Sequence, residues 1–280
     1  MQNTNQINTT EITVIKPNPR WSFVNLIELW SYRELVWVMI VRDIKVRYKQ
    51  TVMGVAWAVI QPLTTILIFT LIFSRLAKIP SDGYPYPIFV FSGMLAWNFF
   101  SSSVSSAGMS LVGSSSLVSK VYFPRIIIPI SSIGVALVDF LISCVLLLIM
   151  MLIYAQPISL NILYLPFFLI GLMMVSIGMG GWLAAVTVTY RDFRFVITFM
   201  LQIWMYLTPV IYPITFVPEN WRWLLYINPM YVWISGIRAS FLGQPFDATG
   251  IAISLVLSII IFILGMIYFE KAQRRFADII

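Results

Sequence analysis

Several long stretches of this chain contain no charged side chain. Lys49 and Arg75 enclose 25 uncharged residues, and Asp247 and Glu270 enclose 22. A membrane-spanning helix needs about 20 apolar residues, and a charge at the centre of the bilayer is costly. Only 10% of the 280 residues are charged, against about 25% in a soluble domain. The chain is therefore predicted to be an all-α polytopic membrane protein, and a soluble enzyme is excluded.

Several residue types that carry chemistry are scarce or absent. The sequence contains no histidine and a single cysteine, Cys144. Histidine acid–base catalysis, an intrachain disulfide and the common zinc or iron–sulfur sites are thereby excluded. The chain also lacks a phosphate-binding loop of the form G-x-x-x-x-G-K-[ST]. We therefore predict no catalytic residue, no metal and no cofactor in this chain.

The gaps between charges predict six spans. They lie at about 53–74, 88–112, 127–154, 162–187, 195–213 and between Asp247 and Glu270. Around them we expect a flexible tail over 1–20, a cytoplasmic segment with an interface helix over 21–52, a transmembrane domain over 53–270 and a cytoplasmic tail over 271–280.

Residues 219–242 are apolar but are divided by Asn228-Pro229. Neither half can cross about 30 Å of hydrocarbon, so we expect a re-entrant helical hairpin that enters from the outer face. Its aromatic residues are expected to form a belt at the membrane interface. These are Trp221, Trp223, Tyr226, Tyr231 and Trp233.

The basic residues predict the orientation. With six spans and both termini inside, fourteen of the 18 Lys and Arg residues fall on the cytoplasmic side. Cytoplasmic loops of membrane proteins carry such an excess. The net charge of +7 is therefore attributed to a cytoplasmic face beside membrane lipid, and no nucleic-acid partner is predicted.

Residues 34–49 predict an amphipathic helix before the first span. Trp37, Ile40, Val41, Ile44 and Tyr48 recur at helical spacing, and the neighbouring basic residues lie off this stripe. The helix is either an anchor on anionic lipid or a strut that a cytoplasmic partner pushes.

Two short cytoplasmic loops combine aromatic and basic residues. They cover residues 114–125 and 190–194. Such loops are either simple turns or docking points for a soluble subunit, because aromatic residues and arginine are enriched in protein interfaces.

Asp139 is the only acidic residue deep inside a predicted span. An intramembrane carboxylate is a candidate for proton coupling, which leaves a proton-coupled secondary transporter among the possible functions. No lysine, arginine or histidine in the spans is available as a relay partner. Hydrogen bonding to Ser131, Ser132 or Ser143, or to another helix, is the alternative.

Two predicted spans carry faces that mix rings with amides and hydroxyls. Trp57, Gln61 and Thr64 share a face of the first span; Phe195, Phe199, Gln202 and Tyr206 share a face of the fifth. Rings can stack on the C–H faces of a sugar, and amides can bond its hydroxyls. These faces predict either a translocation path for a glycan or ordinary helix packing.

Five segments in register resemble the membrane subunit of polysaccharide-exporting ATP-binding-cassette (ABC) transporters, which export O-antigen, capsule or teichoic acid. They are Arg42-Asp-Ile-Lys-Val-Arg-Tyr-Lys49 with Gly54-Val-Ala-Trp57 and Gln61-Pro62, then Val121-Tyr-Phe-Pro-Arg125, Tyr190-Arg-Asp192, Pro209-Val-Ile-Tyr-Pro213, and Asn228-Pro229 with Arg238. The resemblance extends from about residue 30 to residue 275.

This resemblance implies a homodimer in the bacterial inner (plasma) membrane, bound to two copies of a cytoplasmic ABC ATPase that binds ATP and magnesium. The implied cargo is a lipid-linked polysaccharide, and a small amphipathic drug or lipid is the alternative. Spans one and five would border the translocation path, and the outer hairpin would gate it.

The resemblance also implies roles for individual residues. The ATPase-coupling residues would be Arg42, Asp43, Lys45, Arg47, Tyr48, Lys120, Val121, Tyr122, Phe123, Pro124 and Arg125. The second cytoplasmic loop would contribute Tyr190, Arg191, Asp192 and Arg194. The outer gate would contain Trp221, Trp223, Tyr226, Asn228, Pro229, Tyr231, Trp233 and Arg238.

Overall fold

The computed structural model describes residues 26–49 and 56–276, and every regular element in these ranges is helical. The helices are α1 (Leu26–Ser31), α2 (Arg33–Lys49), α3 (Ala56–Phe69, continued by a π-helix over Thr70–Leu76), α4 (Tyr86–Gly113), α5 (Ser115–Lys120), α6 (Ile127–Ile153), α7 (Leu165–Thr189), α8 (Phe193–Leu207), α9 (Arg222–Ile227), α10 (Pro229–Leu242) and α11 (Ala248–Ala272). The all-α prediction is confirmed for these residues; the predicted tail over 1–20 lies outside them.

Five stretches of the described residues are long and apolar enough to cross a membrane. They are Ala56–Leu76, Tyr86–Gly113, Ile127–Ile153, Leu160–Thr189 and Ala248–Arg275. The fifth predicted span, at 195–213, corresponds to α8, which has only 15 residues. The helix ends at Leu207 because Pro209 disfavours helical geometry in Thr208. The count of six spans therefore stays a prediction.

Helix α4 is the central element of the bundle. It packs against α6 and α7, and α7 packs in turn against α11. A side chain at Gly178 of α7 would lie 2.7 Å from the backbone oxygen of Ile261 in α11. Small residues thus allow α7 and α11 to approach closely. In lipid there is no hydrophobic driving force between helices, so such close packing contacts stabilise the pair instead.

The segment 219–242 forms two short helices, as predicted. Asn228 separates α9 from α10, and its side chain caps α10 by accepting a hydrogen bond from the Met230 backbone at 3.1 Å. Entry of this pair into a membrane from the outer face stays a prediction.

Two of the five residues of the predicted aromatic belt are buried in the protein. Trp221 and Trp223 are each 59% exposed, but Tyr231 and Trp233 are buried. The Trp233 ring lies in space opened by Gly171, and its indole N–H donates to the Ser258 hydroxyl at 2.8 Å. These two rings pack inside the bundle, so their assignment to an interfacial belt is wrong.

Candidate functional site

The two mixed faces predicted in the first and fifth spans lie on α3 and α8, and no other part of the described chain covers them. On α3 only Ile66 is buried, and on α8 only Ile197 and Leu201 are. All seven predicted path residues are exposed: Trp57, Gln61, Thr64, Phe195, Phe199, Gln202 and Tyr206. Packing inside this chain therefore does not explain these faces.

A polar cleft of about 380 Å³ lies among α3, α4, α6 and α8. Gln61, Pro62 and Thr65 line it from α3, and Thr198 lines it from α8. Helix α4 contributes Asn98, Ser101, Ser102 and Ser105, and α6 contributes Asp139 and Ser143. We call this feature the α3–α8 cleft.

The sequence analysis missed the wall that α4 forms in the α3–α8 cleft. Residues 98, 101, 102 and 105 follow the spacing i, i+3, i+4 and i+7, which places them on one helical face. Their polarity within an apolar span was the available signal. The sequence gives no signal for the topology that brings this face beside α3 and α8.

An ion pair connects the interface helix to α6 at the α3–α8 cleft. A guanidinium nitrogen of Arg47 lies 2.7 Å from a carboxylate oxygen of Asp139. The hydroxyl of Tyr48 donates to the other carboxylate oxygen. Burial, and then the bond to Asp139, raise the pKa of Tyr48 above its ordinary value. Two consecutive residues at the end of α2 thus hold the carboxylate of Asp139.

These contacts identify the hydrogen-bond partners of Asp139. Ser131 and Ser132 donate to backbone carbonyls of α6, and Ser143 donates to the backbone carbonyl of Asp139 rather than to its carboxylate. The expected serine partners are wrong, and the other-helix alternative is confirmed. Sequence reasoning missed Arg47 because it was assigned to the cytoplasmic segment, outside the spans.

The α2 face that meets the bundle differs from the predicted stripe. Met39 is buried, and Ile40 occupies the space beside Gly134 of α6. Trp37, predicted in the same stripe, is 66% exposed. Arg42 and Lys45 are also exposed, and Arg42 pairs with the neighbouring Asp43 at 2.8 Å. The helix therefore presents an outer surface of mixed aromatic and basic character.

The loop after α5 separates into an exposed part and a buried part. Lys120, Val121 and Tyr122 are exposed, with Tyr122 at 89%. Phe123 is buried in a cluster with Met39 of α2 and Phe269 of α11. After the half-buried Pro124, Arg125 donates a hydrogen bond to the Gln273 carbonyl. Through these contacts the loop packs against both α2 and the end of α11.

The second predicted loop is exposed except at the half-buried Phe193. Tyr190, Arg191, Asp192 and Arg194 are all exposed. The Arg194 guanidinium lies 4.7 Å from the ring centre of Phe195, which is within cation–π range. The loop therefore offers charge and aromatic surface at the start of α8.

At the other end of the bundle, Arg238 of α10 is almost completely buried. It donates to the carbonyls of Pro209 and Val210, at 3.2 and 2.6 Å. Its guanidinium carbon lies 4.0 Å from the ring centre of Phe89 in α4. No carboxylate of the described residues forms an ion pair with it. Carbonyl dipoles and a ring face therefore stabilise this cation.

Neighbouring residues hold the same turn after α8. Tyr86 donates to the Ile211 carbonyl at 3.1 Å, and Asn228 donates to the Thr208 hydroxyl at 2.8 Å. Arg238, Tyr86 and Asn228 thus all donate hydrogen bonds to residues 208–211. We call this set of contacts the carbonyl clamp. Two of the five segments that carry the sequence resemblance meet in it: residues 209–213, and Asn228-Pro229 with Arg238.

Tyr226 and Pro229 complete the predicted outer set. The hydroxyl of Tyr226 donates to the Asp247 carboxylate at 2.8 Å, and this bond, followed by burial, raises the pKa of Tyr226. Asp247 also caps α11 by accepting from the Gly250 backbone at 3.0 Å. Pro229 is buried at the first position of α10. Of the eight predicted gate residues, Trp221 and Trp223 are thus the exposed ones.

Five helices in the described part of the chain, long and apolar enough to cross a membrane, define the class as an integral membrane protein. The ABC-2 type transporter family matches residues 34–242. Because this match covers most of the chain, the protein belongs to the ABC-2 type transporter family and is a membrane permease subunit of an ABC transporter.

Individual relatives agree with this family. The chain is 26% identical over 248 residues to an O-antigen export system permease protein RfbA of Klebsiella pneumoniae, covering 88% of this chain and 95% of the relative. It is 29% identical over 254 residues to the RfbA permease of Myxococcus xanthus, covering 90% and 97%. The resemblance stated from the sequence is confirmed.

Proposed function

We propose that this chain forms the channel through which a lipid-linked cell-surface polysaccharide, such as O-antigen, is exported across the bacterial inner membrane. The observation that carries the proposal is the exposure of all seven path residues on α3 and α8 beside a polar cleft. The names of the relatives, which are O-antigen export permeases, support the same cargo.

The channel is formed by a homodimer, and two copies of a separate ABC ATPase power it. ATP and magnesium bind to that partner, and this chain makes and breaks no covalent bond. The exposed parts of α2, residues 120–122 and residues 190–194 dock the ATPase. Their basic and aromatic composition suits a protein interface.

The topology that fits this role has six spans, with α8 as the fifth and both termini cytoplasmic. Helices α9 and α10 form the re-entrant outer gate. Trp221 and Trp223 supply its exposed surface, and the carbonyl clamp holds α10 beside the end of α8.

Export and ATP hydrolysis are measured together to test this function. Deleting the gene is expected to abolish surface polysaccharide, and Trp57→Ala and Tyr206→Ala are expected to slow export. Tyr154→Ala is the matched control, since Tyr154 is an exposed aromatic residue at the end of α6 and belongs to neither face. Normal export without the chain, or ATP turnover by the purified chain alone, contradicts the proposal.

A further inference from the structure

The polar side chains of the α3–α8 cleft have unused hydrogen-bonding capacity. Ser101, Thr65 and Thr198 donate to carbonyls of their own helices, which leaves their oxygen lone pairs available. The side chains of Gln61, Asn98, Ser102 and Ser105 form no hydrogen bond within the part of the chain that the structure describes. An acyl chain or another apolar occupant would leave all these groups unsatisfied, which is costly. The occupant must therefore be polar.

The charges of the cleft select a neutral occupant. Among the described residues that line the cleft, Arg47 is the only cation and Asp139 the only anion, and the two are 2.7 Å apart. An anion such as phosphate would meet the Asp139 carboxylate, and its attraction to Arg47 is already offset by that carboxylate. A cation would be repelled by Arg47, and its attraction to Asp139 is already offset by that arginine. The paired charges thus leave hydroxyls and amides as the recognising groups.

Amides and hydroxyls both donate and accept hydrogen bonds, as the hydroxyls of a sugar do. The volume of about 380 Å³ lies at the lower end of the range for small-molecule sites, roughly 300–1,000 Å³. Phe99 and Phe140 pack edge to face against each other beneath the lining and are buried, so the polar side chains are left to recognise the occupant.

We propose that the α3–α8 cleft is a binding subsite for a neutral sugar unit of the transported glycan, with Asn98, Ser102 and Ser105 of α4 as its main hydrogen-bonding groups. This subsite lies behind the aromatic faces of α3 and α8 and rests on the proposed function. It holds successive sugar units by hydrogen bonds that are individually modest, so that each unit can also leave.

Cysteine labelling tests the subsite in the full-length chain reconstituted in lipid nanodiscs. Cys144→Ala removes the only native thiol. Thr65→Cys on α3 and Ser101→Cys on α4 then place single thiols in the cleft, at lining positions outside its main hydrogen-bonding groups. Ser106→Cys is the matched control, because Ser106 is on the same helix as Ser101 with similar burial but does not line the cleft.

The probe is a neutral oligosaccharide released from the surface polysaccharide of the source bacterium. A water-soluble thiosulfonate reagent is expected to label the cleft positions faster than Ser106→Cys. Probe at ten times its dissociation constant is expected to slow cleft labelling about tenfold by mass action. Inorganic phosphate at the same concentration is expected to have no effect, and adding Asn98→Leu to Ser101→Cys is expected to remove the protection.

Three results would overturn the subsite. These are cleft thiols that resist the reagent, labelling that the oligosaccharide does not slow, and equal protection by phosphate. Export is measured separately in the deletion strain. Persistent export there defeats the proposed function, whereas unprotected labelling in a chain that supports export defeats only the subsite.

Discussion

Arg238 is the clearest case of a residue whose role depends on burial. The sequence resemblance implied a place in the outer gate, but the side chain is 4% exposed and faces inward. Its Nε atom has no partner among the described residues, while its terminal nitrogens bind two carbonyls. An arginine in this position fixes the turn after α8 to α4 and α10.

We expect Arg238→Met to destabilise the chain. The substitution keeps most of the volume but leaves the carbonyls of Pro209 and Val210 without a donor, and each unsatisfied buried group costs about 1–3 kcal/mol. Thermal unfolding of the chain in detergent measures the loss. Arg75→Met is the control, since Arg75 is exposed at the end of the π-helix. Equal midpoints for the two variants would show that the clamp contributes nothing.

Gly93 and Gly113 provide a second comparison, within one helix. A Cβ atom at Gly93 would lie 2.6 Å from the Val210 oxygen and would also strike the Arg238 guanidinium, whereas none of the structure lies within 4 Å of one at Gly113. Gly93→Ala is expected to cost about 1–3 kcal/mol through overpacking. Gly113→Ala is expected to be neutral or to stabilise by up to about 1 kcal/mol through helix propensity. Chemical denaturation distinguishes them, and the reverse order would contradict the packing described.

Among the elements, α2 is the one whose attachment sequence reasoning described least well. Its helical bounds were predicted within a residue, because the apolar and basic residues repeat at helical spacing. The direction of its faces was not, since both Met39 and Trp37 are apolar and only the position of α6 decides which one is buried. Local periodicity determines an element, whereas packing partners distant in sequence determine its orientation.

Asp139→Asn is expected to loosen α2 from the bundle. The amide loses the ion pair with Arg47 and half of the acceptor capacity that Tyr48 and Arg47 share. Amide hydrogen exchange in residues 39–49 should become faster. Asp43→Asn is the control, because Asp43 pairs with Arg42 on its own helix. Unchanged exchange in Asp139→Asn would mean that hydrophobic contacts alone hold α2.

At the scale of the whole molecule, most of the surface of α3 is left uncovered by the single chain. Leu67 is 60% exposed, and the helix contains one buried residue. In the proposed homodimer, α3 faces its counterpart across the path. In a Cys144→Ala background, Leu67→Cys is expected to be joined into a dimer by a bismaleimide reagent long enough to span the path, because a direct disulfide needs Cα atoms within about 7 Å. Val256→Cys on α11, 56% exposed, is the control and should stay monomeric. Cross-linking at Val256→Cys alone would place the interface elsewhere.

The helical type of the elements and the positions of the long helices were predictable because charges mark the ends of apolar runs, whereas the count of six spans stays a prediction. Predicted and observed bounds of α4, α6 and α11 agree closely. The end of α8 and the α3–α8 cleft were not predictable, for different reasons. A proline ends α8 earlier than the charges suggested, and the cleft exists only where four helices separated in sequence meet.

The carbonyl clamp also has a consequence for biosynthesis. Burying a charged guanidinium is costly unless its partners are present. Arg238 can therefore leave water only after the carbonyls and the ring that bind it are in place. Phe89 and residues 209–210 precede Arg238 in the chain, so the ribosome delivers them first. The burial of α10 therefore depends on the prior placement of α4 and of the turn after α8, and the clamp gives the insertion of this protein a defined order.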